Sequence, residues 1–138
     1  MKTWTALAAA WLALGLTTGH ARASSDLALV QSWYQNYLGR TGRLSELRGW
    51  GNQLRAGVPP CAVESAILGS DEYYHLHGCA PAGFVAGLYA DVLGRQACAQ
   101  EIQGWLCQLG KVPGRQQLAE AFLKAAQLEL AQRAACDR

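Results

Sequence analysis

One sequence pattern occurs twice in the chain, and the second copy lies 55 residues after the first without a gap. Both copies present the same residue types, in the same order and at the same spacing. These residues are Tyr34, Gly39, Arg40, Glu46 and Trp50, followed by Tyr89, Gly94, Arg95, Glu101 and Trp105. Because self-similarity at a fixed period is typical of a duplicated supersecondary unit, two similar folding units are expected.

The spacing inside each copy predicts a helical hairpin. Apolar residues from Val30 to Leu38, and again from Val85 to Leu93, recur at intervals typical of one helical face. Gly39 and Gly94 come next, where helices often end in a left-handed residue that glycine adopts without strain. A second amphipathic run follows in each copy. Since no alternating run of β-branched residues predicts a strand, we expect an all-α fold of two tandem helical-hairpin repeats.

Residues 1–23 have the anatomy of a secretory signal peptide. Lys2 precedes an apolar run from Trp4 to about Leu16, and small residues at positions 21 and 23 match a cleavage site. The apolar run is shorter than the roughly 20 residues that a membrane span needs. We therefore expect cleavage after Ala23, a secreted or periplasmic protein, and no stable membrane insertion.

Residues 24–138 have the size of one domain, with repeat one at about 26–80 and repeat two at about 81–135. Without Lys2 and Arg22, this part of the chain has ten basic and ten acidic residues. It therefore lacks the basic footprint of a nucleic-acid-binding protein. The expected partners are other extracytoplasmic proteins, and the oligomeric state stays open.

The segment after the hairpin is expected to differ between the two copies. In the first copy, a short third helix should include Val63 and Ile67, and Ser70 should cap a fourth helix that begins near Tyr73. In the second copy, one longer helix should run to about Arg133. Its buried stripe is predicted to consist of Leu118, Ala121, Phe122, Ala125 and Leu128.

Charged and aromatic residues of the pattern have two interpretations. An arginine at one helix end and a glutamate in the next first turn predict a bidentate pair that fixes the hairpin angle. The pairs are Arg40 with Glu46 and Arg95 with Glu101. The tyrosines and tryptophans lie on apolar stripes and are expected in the core. The alternative interpretation is a binding surface built from the same groups.

His75, His77 and Cys79 form the one sequence cluster with metal-ligand chemistry. In an extended segment these three side chains would point the same way and offer imidazole and thiolate to Zn or Cu. A fourth ligand is missing from the sequence pattern. The cluster supports a metal- or thiol-handling protein as an alternative function, but no cofactor is expected.

Five cysteines in an exported chain predict disulfide pairing with one cysteine left over. Cys98 and Cys107 would lie about 13 Å apart along one helix, which is too far for a disulfide. Cys61 and Cys79 are the preferred pair, because the chain runs out and returns between them. Cys136 is expected to be exposed, and to close onto another cysteine, stay free or join a second chain.

Catalytic signatures are missing from the sequence, including nucleophile elbows, zinc-protease helices and phosphate-binding loops. The chain is therefore not expected to be an enzyme, and a small hydrolase is only the third hypothesis. The leading hypothesis is an exported helical scaffold or protein-interaction module.

Leu-Gly-Arg followed by Glu and Trp, together with the link from Ser70 to Tyr74 into Gly83-Phe84-Val85, resembles the bacterial domain of unknown function 4214. The resemblance covers about residues 26–130. More distantly, that family resembles the helical domain of phycobilisome linker polypeptides. The resemblance implies a helical repeat of extracellular and surface proteins without an established activity.

Overall fold

The computed structural model of the chain describes the backbone of residues 10–136 and the side chains of residues 21–136. Within this range the fold is a small helical domain without strands. Its helices are α1 (Ala10–Leu38), α2 (Leu44–Arg55), α3 (Pro60–Leu68), α4 (Asp71–Leu76), α5 (Pro81–Leu93), α6 (Ala99–Leu109) and α7 (Arg115–Cys136). The predicted all-α class is therefore confirmed for the described residues.

Glycines end the first helix of each predicted hairpin. Helix α1 ends at Leu38 and helix α5 at Leu93, and the next residues, Gly39 and Gly94, have φ angles of +64° and +63°. Side chains with a Cβ rarely adopt this left-handed conformation, so glycine lets the chain turn without strain. The helix ends predicted from the sequence are confirmed at both positions.

A carboxylate in the first turn caps each second helix. Glu46 Oε2 accepts a hydrogen bond from the Arg43 backbone N–H at 2.7 Å, and Glu101 Oε2 accepts one from the Cys98 N–H at 2.9 Å. These carboxylates satisfy amide groups that have no partner inside the helix. The same local contact therefore sets the start of α2 and α6.

The segments after the two hairpins differ, as expected. Ser70 separates α3 from α4, and its hydroxyl accepts a hydrogen bond from the Tyr73 N–H at 3.2 Å. Helix α7 has no comparable break and continues to Cys136. A short pair of helices and one long helix therefore occupy corresponding places along the sequence.

The core lies where α1, α3, α5 and α7 pack together, and α4 closes one side of it. Tyr73, Phe84 and Phe122 are among the largest side chains that are fully buried. Tyr34 and Tyr89 are each only 5 % exposed, as predicted for core residues. Trp50 and Trp105 are half-buried and pack against the edge of this core, so the predicted burial of the tryptophans is only partial.

The predicted buried stripe of α7 is wrong in part. Leu118 and Phe122 are buried, but Ala121, Ala125 and Leu128 are exposed. The remaining buried positions are Ala119, Leu123 and Ala126. Leu118 and Phe122 fit two overlapping helical faces, one with Ala121, Ala125 and Leu128 and one with Ala119, Leu123 and Ala126. Packing of α7 against α3 buries the second face. An apolar strip of α7 is consequently left at the surface.

Part of the predicted signal peptide, residues 1–9, lies outside the described residues. Helix α1 begins at Ala10 and continues through the expected cleavage point after Ala23. Cleavage therefore stays a prediction. Among the described residues, no helix is both long enough and apolar enough to cross a membrane.

Candidate functional site

Arg40 joins three helices through two carboxylates, and we call Arg40, Glu46 and Glu72 the Arg40 cluster. Its Nη1 and Nη2 atoms each donate to one Glu46 oxygen at 3.0 Å. Its Nε and Nη2 atoms donate to the two Glu72 oxygens at 2.5 and 2.8 Å. The guanidinium carbon lies 4.9 Å from the centroid of the Tyr34 ring. The bidentate pair expected with Glu46 is present, and Glu72 is an additional partner.

Arg95 makes the equivalent contacts in the second half, and Arg95, Glu101 and Glu129 form the Arg95 cluster. The guanidinium binds both Glu101 oxygens at 3.0 and 2.7 Å and both Glu129 oxygens at 2.8 and 3.0 Å. It lies 4.7 Å from the centroid of the Tyr89 ring. With each guanidinium held by two carboxylates and a ring, neither arginine is free to serve as an anion-binding group.

The arginines stabilise the charged form of these carboxylates. Hydrogen bonds from Arg40, with a second contribution from the Arg43 backbone, lower the pKa of Glu46 to about 2. Hydrogen bonds from Arg95, with a second contribution from the Cys98 backbone, lower the pKa of Glu101 to about 2. Both glutamates are therefore ionised at any physiological pH. This makes neither of them a suitable general acid.

A second group of polar side chains lies between α1, α3, α4 and α5. The hydroxyl of Tyr73 donates to Asp91 Oδ2 at 2.7 Å, and His77 Nε2 lies 3.2 Å from the same oxygen. The hydroxyl of Tyr37 donates to Glu64. Burial is the main reason that the pKa of both tyrosines and of Glu64 is raised. These bonds satisfy polar atoms at the junction of the two halves, and the buried phenols are held neutral.

His75, His77 and Cys79 do not have the extended geometry on which the metal hypothesis depended. His75 lies in α4, where Nδ1 is 2.6 Å from the Asp71 carbonyl oxygen, and His77 caps the end of that helix. Cys79 follows in a turn with a φ angle of +54°. Over residues 21–136, no three His, Cys, Asp or Glu side chains form a group that could hold a metal ion.

The five cysteines are free thiols in this structure. Cys61 is half-buried, whereas Cys79, Cys98, Cys107 and Cys136 are exposed. The pairing of Cys61 with Cys79 stays a prediction for the oxidised protein.

A cleft of about 530 Å³ opens between α6 and α7, beside Trp105. We call it the Trp105 cleft. Its walls combine aromatic, aliphatic and amide groups with the Glu101 carboxylate. They are formed by Tyr89, Glu101, Gly104, Trp105, Gln108, Val112, Leu118 and Ala121. The sequence pattern includes Tyr89, Glu101 and Trp105 of this cleft, but it placed Leu118 and Ala121 on a buried stripe and did not predict an open α7 wall, because that wall depends on which face of α7 is buried.

Gly104 and the exposed strip of α7 extend the cleft. Apart from its chain neighbours and the surrounding α6 backbone, a Cβ placed on Gly104 would meet no heavy atom within 4 Å. Ala121 belongs to the cleft, and the exposed Ala125 and Leu128 lie further along the same side of α7. Leu128 is 69 % exposed. The cleft and this strip together form one continuous side of the second half of the chain with exposed apolar groups.

The fold and its clusters define a small helical domain whose helix junctions are held by arginine–carboxylate clusters. Residues 64–129 match the family model described as Domain of unknown function (DUF4214). The family expected from the sequence is therefore confirmed for this segment, which runs from α3 into α7 and includes the whole Arg95 cluster. No curated protein and no solved structure matches the chain. The more distant resemblance to phycobilisome linker polypeptides stays a prediction.

Proposed function

We propose that the chain is an exported, non-enzymatic helical module that binds another extracytoplasmic protein in the Trp105 cleft. The observation that carries this proposal is the glycine at position 104. Gly104 lies inside α6 and beside the half-buried Trp105. A glycine within a helix costs about 0.5–1 kcal/mol relative to alanine. Since no described neighbour occupies the space of its Cβ, packing within the domain does not account for that cost.

A binding partner accounts for the glycine more simply. Without a side chain, the α6 backbone is open to close approach, and Trp105 provides a large apolar contact at the same place. Gly49 occupies the corresponding position beside Trp50 in α2, and its Cβ would likewise meet nothing within 4 Å. Since neither Gly49 nor Gly104 has a packing role, the same face of α2 and of α6 is suited to contact with another protein.

The exposed strip of α7 gives the proposed partner a second contact. Ala121, Ala125 and Leu128 follow one another along the helix at intervals of four and three residues. Exposed apolar surface of this kind is typical of sites that contact another protein. A helix or extended segment lying in the cleft would continue along this strip.

The contacts of the two halves support a duplicated unit as part of the proposal. Hydrogen bonds from Trp50 to Tyr34 and from Trp105 to Tyr89 are 55 residues apart, as are those from Arg40 to Glu46 and from Arg95 to Glu101. Export is supported by the leader pattern of residues 1–23. A duplicated scaffold outside the cytoplasm needs no catalytic group. Arg40 and Arg95 support this part of the proposal, because each guanidinium is already bound to two carboxylates.

Site-specific photo-crosslinking in the producing cell tests the proposed site. We expect a photoreactive residue at Gln108, inside the cleft, to give a protein adduct of discrete mass. A photoreactive residue at Asn36, exposed on α1, is the matched control and should not give that adduct. The Gly104→Leu variant should lose the adduct at Gln108 while retaining its helical circular dichroism. Equal adducts at both positions, or none at Gln108, would rule out the cleft as the binding site.

A further inference from the structure

Asp26 on α1 has a carboxylate oxygen without a partner. Its Oδ2 atom is buried and accepts no hydrogen bond. The residue lies beside a cavity of about 200 Å³ between α1 and the turn from α2 to α3. The opposite wall consists of Leu54, Gly57, Val58, Pro59 and Pro60, none of which titrates. A buried carboxylate oxygen without a donor is destabilising.

The nearest described cation on the same helix is Arg22, which also lines this cavity. Arg22 is exposed, and no ion pair joins it to Asp26. It precedes the expected cleavage point after Ala23, so processing would remove it. Helix α1 currently passes through that point, and Asp26 therefore lies in the helix interior, where backbone amides are occupied by carbonyl groups.

We propose that cleavage after Ala23 turns residues 24–26 into the N-terminal cap of α1 and gives the Asp26 carboxylate its missing partners. This inference rests on the export part of the proposed function. Hydrolysis of the bond between Ala23 and Ser24 adds one water, leaves a carboxylate on the leader and creates an ammonium group on Ser24. Asp26 then lies in the first turn of a helix, two residues from the new positive charge.

Two effects favour the carboxylate at that position. The first backbone N–H groups of a helix have no intrahelical acceptor and become available as donors. The positive end of the helix dipole and the ammonium group both attract a negative side chain in the first turn. Cleavage thus removes the charge of Arg22, four residues before Asp26, and adds the ammonium group of Ser24, two residues before it. Asp26, whose Oδ2 atom has no partner in the uncleaved helix, stabilises the processed one.

The direction in which Asp26→Asn changes the Tm of the purified chain that begins at Ser24 tests this inference. We expect Asp26→Asn to lower the Tm by about 2–5 °C at pH 6. The effect should shrink as the pH rises through about 8, where an α-amino group loses its charge. It should also shrink when Gly-Ser-Gly is added before Ser24, because the ammonium group then moves away from Asp26.

An Asp26→Asn variant with an unchanged or higher Tm would overturn the proposal, because the carboxylate would then still lack partners in the processed chain. Failure of the export proposal has a different readout. Mass spectrometry of the protein from the producing cell would then show residues 1–23 still attached, whatever the effect of Asp26→Asn on the Tm of the shortened chain.

Discussion

The indole Nε1–H of Trp105 donates a hydrogen bond to the Tyr89 hydroxyl at 3.0 Å. Tyr89 lies under the Arg95 guanidinium, and Trp105 forms a wall of the cleft. This one bond therefore connects the charged cluster at the hairpin turn with the proposed binding surface. The bond from Trp50 to Tyr34, at 3.1 Å, connects the same groups in the first half.

Removing the indole donor should weaken the domain moderately. We expect Trp105→Phe to lower the free energy of unfolding by about 1–2 kcal/mol, because a hydrogen bond and part of a large ring are lost. Urea denaturation followed by circular dichroism measures this change. In a double-mutant cycle with Tyr89→Phe, the two effects should be less than additive. Strict additivity would show that the bond contributes nothing.

The effect of alanine on stability should distinguish Gly104, which we assign to partner binding, from Gly83, which is required by packing inside the domain. Gly104→Ala should stabilise the isolated protein by about 0.5–1 kcal/mol, because the helix gains alanine and nothing is displaced. Gly83→Ala should destabilise it, because the new Cβ would clash with the His77 carbonyl oxygen. Thermal unfolding of both variants provides the comparison. If Gly104→Ala were destabilising, an intramolecular packing role would replace the proposed binding role.

The low pKa of Glu46 and Glu101 determines how the protein responds to acid. Their folded-state pKa values are about 2, compared with 4.5 for an unperturbed glutamate. Their stabilising effect is therefore complete above about pH 4.5 and is lost as the pH falls towards 2. Glu101→Gln should flatten this part of the stability–pH curve while lowering stability at pH 7. If Glu101→Gln lost as much stability between pH 4.5 and pH 2 as the unsubstituted protein does, the Arg95 cluster would not be energetically coupled to folding.

The hydrogen bond from Tyr37 to Glu64 should stabilise the fold most when the carboxylate is charged. Burial raises the pKa of Glu64, and the hydrogen bond from Tyr37 opposes that rise. Tyr37→Phe leaves the carboxylate without this donor and should cost about 1–3 kcal/mol at pH 7. The cost should decrease in acid, because the protonated carboxyl no longer needs the donor for its charge. Chemical denaturation at pH 7 and pH 4 measures the difference, and a cost independent of pH would contradict this role.

Short-range features of the fold could be predicted from the sequence. Gly39 and Gly94 end their helices because the turn needs a left-handed residue at that point. Arg40 finds Glu46 because only six residues separate them. Glu72 and Glu129 lie 32 and 34 residues from their arginines, and no local spacing predicts such contacts. Glu72 belongs to the short helix α4 and Glu129 to the long helix α7, and these helices lie in the segments in which the two halves differ.

Two errors have physical causes of the same kind. The α7 stripe was assigned to the wrong side because Leu118 and Phe122 fit either of two helical faces, and only packing against α3 decides between them. The metal hypothesis assumed an extended segment at His75 and His77, and this assumption does not hold because the helix capped by Ser70 includes His75. The Trp105 cleft depends on the first of these choices and was therefore not predictable.

Binding of a partner in the Trp105 cleft is most directly tested by hydrogen–deuterium exchange on the complex with the protein identified by crosslinking. We expect slower exchange in α6 and in the part of α7 that contains Ala121, Ala125 and Leu128. Exchange in α1 and α3 should stay unchanged, and Gly104→Leu should abolish the protection. Protection confined to α1–α4, or protection that persists in Gly104→Leu, would contradict a binding site in the Trp105 cleft.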